Sequence, residues 1–461
     1  MTITKKKKDF TSGPLFLPML CFVLPIMLTG ILQVFYNMAD NIVVGQFSGD
    51  PDALAAVGST SSLTNLIINA LMGLAAGSGI VISHAFGAKN DALLGKAVHT
   101  AMTFSLFGGI VFSVVGFFVA KPILVLMGTN ADLLDKAVLY TRIIFLGVPG
   151  SAVFNFGATL LRSIGDSKTP LYILSSTGII NVVLNLLFVM VFNMSIAGVA
   201  LATIIAQYVS AVVLVFILIK RKGENYALNP KKLGIDVGVL KRILRFGIPA
   251  SIQSSVFGIS NVIITTGVNT LSKAIISAKT IAGNIEGLLY TALNSYMHAS
   301  MTFVGQNYGA QKPERIKKSI FCAIGQVLTV GLTLAGIMTL FAEPLALMYI
   351  DPVDPNKAEV LKETVSLMQM MLVSYVLCGV MESLAGSLRG LGYSITPMLV
   401  NLILTCGGRI VWVLLFFPMP LFNDLRGLFL IYPISWITAI IAHTTVLLTS
   451  KKIKAEKISM S

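Results

Sequence analysis

Twelve long, nearly uncharged apolar stretches follow one another along the chain, and no soluble fold can absorb that pattern. They cover residues 15–47, 53–83, 93–120, 133–161, 170–193 and 196–220, then 243–268, 274–306, 315–341, 358–388, 395–417 and 427–449. Each exceeds the roughly 20 residues an α-helix needs to cross a hydrocarbon core, and several exceed it enough to predict tilt or protrusion. The alternating segments of about ten residues that mark a membrane β-barrel are missing. Composition agrees: 55% of the 461 residues are hydrophobic and 12% charged, half the charge of an ordinary soluble domain at about 25%. The chain therefore reads as an all-α integral membrane protein with twelve transmembrane helices. Soluble enzymes, secreted disulfide scaffolds and disordered proteins are excluded. Lys5 to Lys8 ahead of an apolar run imitate a signal peptide, but the run continues through Ile42 without a small-x-small cleavage site, as a first membrane helix does.

The net charge of +14 is a matter of orientation, not of nucleic-acid binding. If both termini are cytoplasmic, 25 of the 34 Lys and Arg fall in cytoplasmic segments and seven outside, while Arg142 and Arg409 lie within spans. That asymmetry is the positive-inside pattern, and the expected location is the inner membrane. The expected organisation is a cytoplasmic tail over 1–14, a first lobe over 15–220, a charged linker over 221–242, a second lobe over 243–450 and a basic tail over 451–461.

The halves repeat. Phe86-Gly87-Ala88-Lys89 matches Tyr308-Gly309-Ala310-Gln311 at an offset of 222, and Ala120-Lys121-Pro122 matches Ala342-Glu343-Pro344. Leu161-Arg162-Ser163-Ile164-Gly165 matches Leu388-Arg389-Gly390-Leu391-Gly392 at 227, with an insertion around Asp351 to Pro355. Pro25 and Pro249 correspond at 224. Six spans per repeat give two lobes of the same orientation, pseudo-symmetric about an axis along the membrane normal, and such a pair can expose a central site to either side in turn. Cys21, Cys322, Cys378 and Cys406 lie in apolar runs without CxxC spacing and read as core residues. The four His are scattered, and no Walker A, GxSxG or HExxH pattern occurs, so neither a metal site, an enzyme nor a nucleotide engine is expected.

With these segments in view the chain resembles the multidrug and toxic compound extrusion (MATE) family of antiporters over nearly its whole length. The resemblance rests on Leu24-Pro25 through Asp40-Asn41-Ile42-Val43-Val44-Gly45, and on the Arg162 and Arg389 segments. Gly305-Gln306-Asn307-Tyr308-Gly309-Ala310-Gln311 completes it. It implies export of cationic or amphipathic compounds in exchange for protons or sodium, with no cofactor beyond that coupling ion. It also implies a closer match to the DinF-type than the NorM-type pattern.

Intramembrane acids carry the sharpest chemistry, since each costs about 3 kcal/mol to place at the bilayer centre. Three fall within spans: Asp40, Glu286 and Glu382. Gln33, Tyr36, Asn37 and Asp40 share one side of the first helix, which Pro25 can bend. Asp40 can hold a cation when ionised and release it when protonated, the physical core of antiport; DinF-type relatives carry an aspartate there. Asn181 and Asn185, one turn apart, can face it, although some DinF-type members have an acid at Asn185. Asn65 and Asn69 add a polar stripe in the second helix, and with Gln33 and Tyr36 they are the expected substrate-cavity residues. For the second lobe the candidates are Glu286 and Glu382 with Gln253 and Asn261. NorM-type acids stand in the seventh and tenth helices; here the seventh has none. A Lys279 pair for Glu286, or neutralisation of either glutamate by Arg409, are the plainer readings.

The expected activity is secondary active antiport of small organic cations by a monomer in the lipid bilayer. The alternatives are a lipid-linked oligosaccharide flippase of the same superfamily, which favours a cavity rich in Arg and Lys, or a passive channel.

Overall fold

The computed structural model describes residues 9–350 and 355–454. Lys5 to Lys8, Lys457 and most of the expected insertion at Asp351 lie outside the described residues. Those described are helical, with no strand among them. We number the long helices α1 Phe16–Phe47, α2 Ala53–Gly87, α3 Asp91–Leu126, α4 Ala131–Ser163, α5 Lys168–Val191 and α6 Ser195–Lys220. The second half holds α7 Val237–Val268, α8 Lys273–Gly309, α9 Pro313–Leu340, α10 Lys357–Gly390, α11 Ile395–Phe416 and α12 Leu425–Thr449.

Eleven of these are long and apolar enough to cross a membrane; α8 is the exception. Its lower hydropathy has a physical reason. The helix carries Lys279, Glu286, Gln306 and Asn307, and its second half from Tyr296 is packed almost wholly inside protein, so it need not match lipid. The linker is shorter than expected because α7 starts six residues before 243. Asp236 caps that start, accepting from the Val239 amide at 3.0 Å, and the early turns carry Lys241 and Arg242 ahead of the apolar run that begins at 243.

The chain forms two compact units. One takes in Leu28–Ser251, the other Phe10–Met27 and the residues from Ile252 onward. Both α1 and α7 thus change units two residues after a proline, Pro25 or Pro249. In the first unit the early part of α7 lies against α2 so closely that a Cβ on Gly77 would stand 2.4 Å from the Ile243 carbonyl oxygen. Ser251 donates to the Ala70 carbonyl at 2.7 Å in the same seam. In the second unit Phe10 stacks on Phe303 at 3.9 Å, and its backbone bonds Gln306 and Arg315.

The repeat is visible as geometry. Lys89 and Gln311, related by 222, both adopt positive φ (53° and 56°) after a helix C-terminus. Gly165 and Gly392, related by 227, do the same at 91° and 82°. In each glycine turn the next amide reaches back five residues: Asp166 to the Leu161 carbonyl at 2.8 Å, Tyr393 to Leu388 at 2.9 Å. Both fifth helices also widen into π segments, Leu187–Val191 in α5 and Asn401–Gly407 and Trp412–Phe416 in α11, a departure often found at functional sites.

Candidate functional site

Asp40 sits two turns before the end of α1, half-buried within the first unit. Asn185, fully buried near the α5 π segment, donates its amide to Asp40 Oδ1. Thr203 of α6 places Oγ1 3.4 Å from Asp40 Oδ2 and 3.0 Å from the Val199 carbonyl. Asn181 closes the ring: its Oδ1 lies 3.4 Å from Asn185 Nδ2, and its Nδ2 lies 3.5 Å from Thr203 Oγ1. Three side chains from two helices, α5 and α6, therefore form a hydrogen-bonded ring with the one carboxylate of α1. Asn185 Oδ1 is buried with no partner, an exposed need that buried polar atoms rarely carry.

Two states follow from this chemistry. Ionised, Asp40 accepts from Asn185 and Thr203, and with the side-chain oxygens of Asn181, Asn185 and Thr203 it offers a hard-oxygen set suited to a small cation. Protonated, Asp40 becomes a donor, and the unpartnered Asn185 oxygen is an acceptor within reach of an amide rotation. The ring holds a single carboxylate, and no group of three His, Cys, Asp or Glu suited to a metal occurs among the described residues.

Other first-unit candidates stand apart from this ring. Tyr36 donates to the Ser175 carbonyl at 3.3 Å and fills the space left by Gly178, where a Cβ would come within 1.8 Å of its ring. Asn37, Gln33 and Asn65 are exposed and Asn69 is half-buried. None of these four hydrogen bonds to the ring among the described residues. Thr203 escaped sequence reasoning because a lone threonine in an apolar helix is unremarkable; only its long-range contact reveals it.

The second unit is built differently. At the offset of 224 that relates Pro25 to Pro249, Asp40 corresponds to Ile264, which is buried. Glu286 is 1% exposed, with Lys279 Nζ 3.9 Å from its Oε2 and its Oε1 unpartnered. Glu382 has Arg389 as its charged neighbour. Gln253 and Asn261 do not stand free as cation ligands: Gln253 Oε1 accepts from Arg389 at 2.7 Å, and Asn261 Oδ1 accepts from Arg409 at 3.0 Å. Arg409 therefore does not neutralise a glutamate; among the described residues no carboxylate lies within ion-pair distance of it. Arg389 is buried in the last turn of α10. A buried ion costs several kcal/mol in desolvation, and an aromatic stack such as Arg409 over Tyr432, at 4.0 Å, returns about 2 kcal/mol.

Outside the spans, Asp166 and Arg221 form a salt bridge at 2.6 Å that ties the α4–α5 turn to the end of α6. Burial pushes the Asp166 carboxyl up, but hydrogen bonds from Arg221 and Thr169 outweigh it and hold the group below the usual carboxylate range. The second repeat replaces the pair: Tyr393 stands at the Asp166 position, bonds Ser450 at 3.2 Å and receives the Lys452 ammonium over its ring at 4.5 Å. A cavity of about 950 Å³ lies among the start of α3 and residues 219–236 and includes none of the acid-ring residues.

Comparison with known proteins places this geometry. The family model described as MatE matches residues 25–187 and 249–414. The chain is 29% identical over 389 residues to the probable multidrug resistance protein YoeA of Bacillus subtilis (strain 168), covering 83% of this chain and 82% of that protein. To YpnP of the same organism, also named a probable multidrug resistance protein, it is 30% identical over 313 residues, 68% of this chain and 69% of the relative. A solved structure described as the outward-facing conformation of a multidrug resistance MATE family transporter of the MOP superfamily aligns with a TM-score of 0.88. It is 20% identical, with 99% of both chains covered. A crystal structure of MATE in complex with MaL6 aligns with a TM-score of 0.88 at 21% identity, over 98% of this chain and 99% of that one.

Proposed function

The chain belongs to the MatE family of multidrug and toxic compound extrusion transporters, and on that premise we propose that it exports cationic and amphipathic small molecules in exchange for a proton or sodium ion bound at Asp40. It is a multi-pass membrane transporter and not an enzyme. The observation that carries the coupling assignment is the ring of Asn185, Asn181 and Thr203 around the Asp40 carboxylate, with an unpartnered buried oxygen beside it. Ion and cargo then compete for one negative charge, so binding of either favours release of the other, as alternating access requires. The names of the relatives, probable multidrug resistance proteins, support drug-like small molecules as cargo. The 25-to-7 bias of Lys and Arg supports an inner-membrane protein with both termini cytoplasmic. A monomer suffices for this scheme, because the ring lies within one unit of one chain.

The test is efflux of ethidium from proteoliposomes with proton and sodium gradients imposed separately. Wild type concentrates ethidium against its gradient under at least one of them, and Asp40→Asn does not. Downhill flux alone, indifferent to both gradients, would mark a passive channel and refute the proposal.

A further inference from the structure

Arg409 is 2% exposed, and its surroundings leave its Nε without a hydrogen-bond acceptor. Nη1 donates to Asn261, the plane lies over Tyr432, and Phe257 stands at 5.8 Å. Nε is buried without any partner. Nε belongs to the Nε–Nη2 edge, the side that grips a carboxylate or phosphate through two parallel hydrogen bonds. Charge points the same way. Among the described residues of the second unit, Lys279 pairs with Glu286 and Arg389 is the charged neighbour of Glu382, while no carboxylate lies within ion-pair distance of Arg409. Arg409 is the cation left over. The helix that carries it is π-distorted on both sides, at Asn401–Gly407 and Trp412–Phe416.

We propose that the second unit holds an oxyanion-binding subsite in which Arg409, braced by Asn261 and stacked on Tyr432, grips the carboxylate or phosphate of an aromatic or amphipathic ligand through its Nε–Nη2 edge. Tyr432 and Phe257 supply the apolar wall against which the body of such a ligand packs. The transporter then accepts zwitterions and organic anions in addition to cations. This goes beyond the Asp40 assignment and does not rest on it, because equilibrium binding needs no ion gradient.

The experiment is isothermal titration of the full-length protein in phosphatidylcholine nanodiscs with benzoate, phenyl phosphate and the cation benzamidine. Fluorescence of the chain's two tryptophans is followed in parallel. Trp436 lies edge-on to Tyr432 at 5.5 Å and reports on the site. Benzoate and phenyl phosphate bind wild type and quench this emission. Arg409→Gln weakens both at least tenfold and leaves benzamidine within twofold. Arg409→Lys keeps the charge but not the fork, and loses at least threefold; it carries the test alone if the Gln variant does not fold. Adding phosphatidylglycerol distinguishes the sources of the anion: competition with benzoate in wild type only identifies a lipid headgroup as occupant, and no competition identifies a soluble one. Benzoate affinity unchanged within twofold in both variants, or benzoate and benzamidine bound alike by wild type, overturns the proposal.

Discussion

Asn185 donates its side-chain amide to the carboxylate of Asp40, 145 residues earlier in the chain. Sequence distance makes the pairing invisible locally, yet it joins the last α-helical turn of α5 to α1 and leaves the amide oxygen of Asn185 unsatisfied. Replacing Asn185 with Leu removes both the donor to ionised Asp40 and the acceptor for its protonated form. Gradient-driven ethidium efflux is expected to fall about tenfold, the worth of one charge-assisted hydrogen bond of about 1.5 kcal/mol. Initial efflux rates in proteoliposomes check this.

Thr203 contributes a hydroxyl to the same carboxylate and to the Val199 carbonyl. Thr203→Val keeps the shape and deletes the oxygen, so folding is retained while ion-driven efflux drops about threefold to tenfold, on the scale of one hydrogen bond that is long, at 3.4 Å. Thr203→Ser restores it. Equal activity in the Val and Ser variants would remove Thr203 from the ring.

The seam between α2 and the early part of α7 depends on absent side chains. Gly77→Ala places a methyl 2.4 Å from the Ile243 carbonyl and 2.5 Å from the Gly247 nitrogen. Both are backbone atoms that cannot rotate away, so a loss of about 1–3 kcal/mol is expected. Gly58→Ala, in the same helix with nothing within 4 Å of the new methyl, is expected to be neutral or stabilising by about 0.5–1 kcal/mol. Thermal unfolding of the two variants side by side makes the comparison.

The Asp166–Arg221 bridge gives a pH-dependent stability. Because the folded carboxyl is held below its ordinary value, its contribution is complete above the unfolded value of about 4 and is lost as pH falls through the lower folded one. Asp166→Asn is expected to cost about 1–2 kcal/mol near neutral pH, the range of a hydrogen bond to a charged group. That difference from wild type should shrink as pH falls below about 4 and vanish once the folded carboxyl is itself protonated. Denaturation midpoints measured across that interval test the sign.

Much of this architecture is legible in the chain because membrane helices are written redundantly. Twelve apolar runs predicted α1 to α12 to within a few residues at most ends, and the Arg162 and Arg389 segments marked two equivalent turns confirmed by Gly165 and Gly392. The start of α7 was missed because its first turns are basic and capped by Asp236, not apolar. The α5 asparagines were legible as candidate partners of Asp40 from their one-turn spacing, although interhelical bonding alone would use the same spacing. Thr203 was not, because a hydroxyl that also bonds its own helix carries no pattern. The second unit misled most. Gln253 and Asn261 read as free ligands, while their amides hold Arg389 and Arg409, and which charge meets which is decided by packing between helices far apart in sequence.

The most direct test of the central claim is proton release on cargo binding, followed with a pH-indicator dye as ethidium is titrated into weakly buffered, sodium-free, purified protein. If ion and cargo compete for Asp40, wild type releases protons in proportion to ethidium bound, sodium suppresses or replaces that release, and Asp40→Asn releases none. Proton release from Asp40→Asn equal to that from wild type would contradict the account.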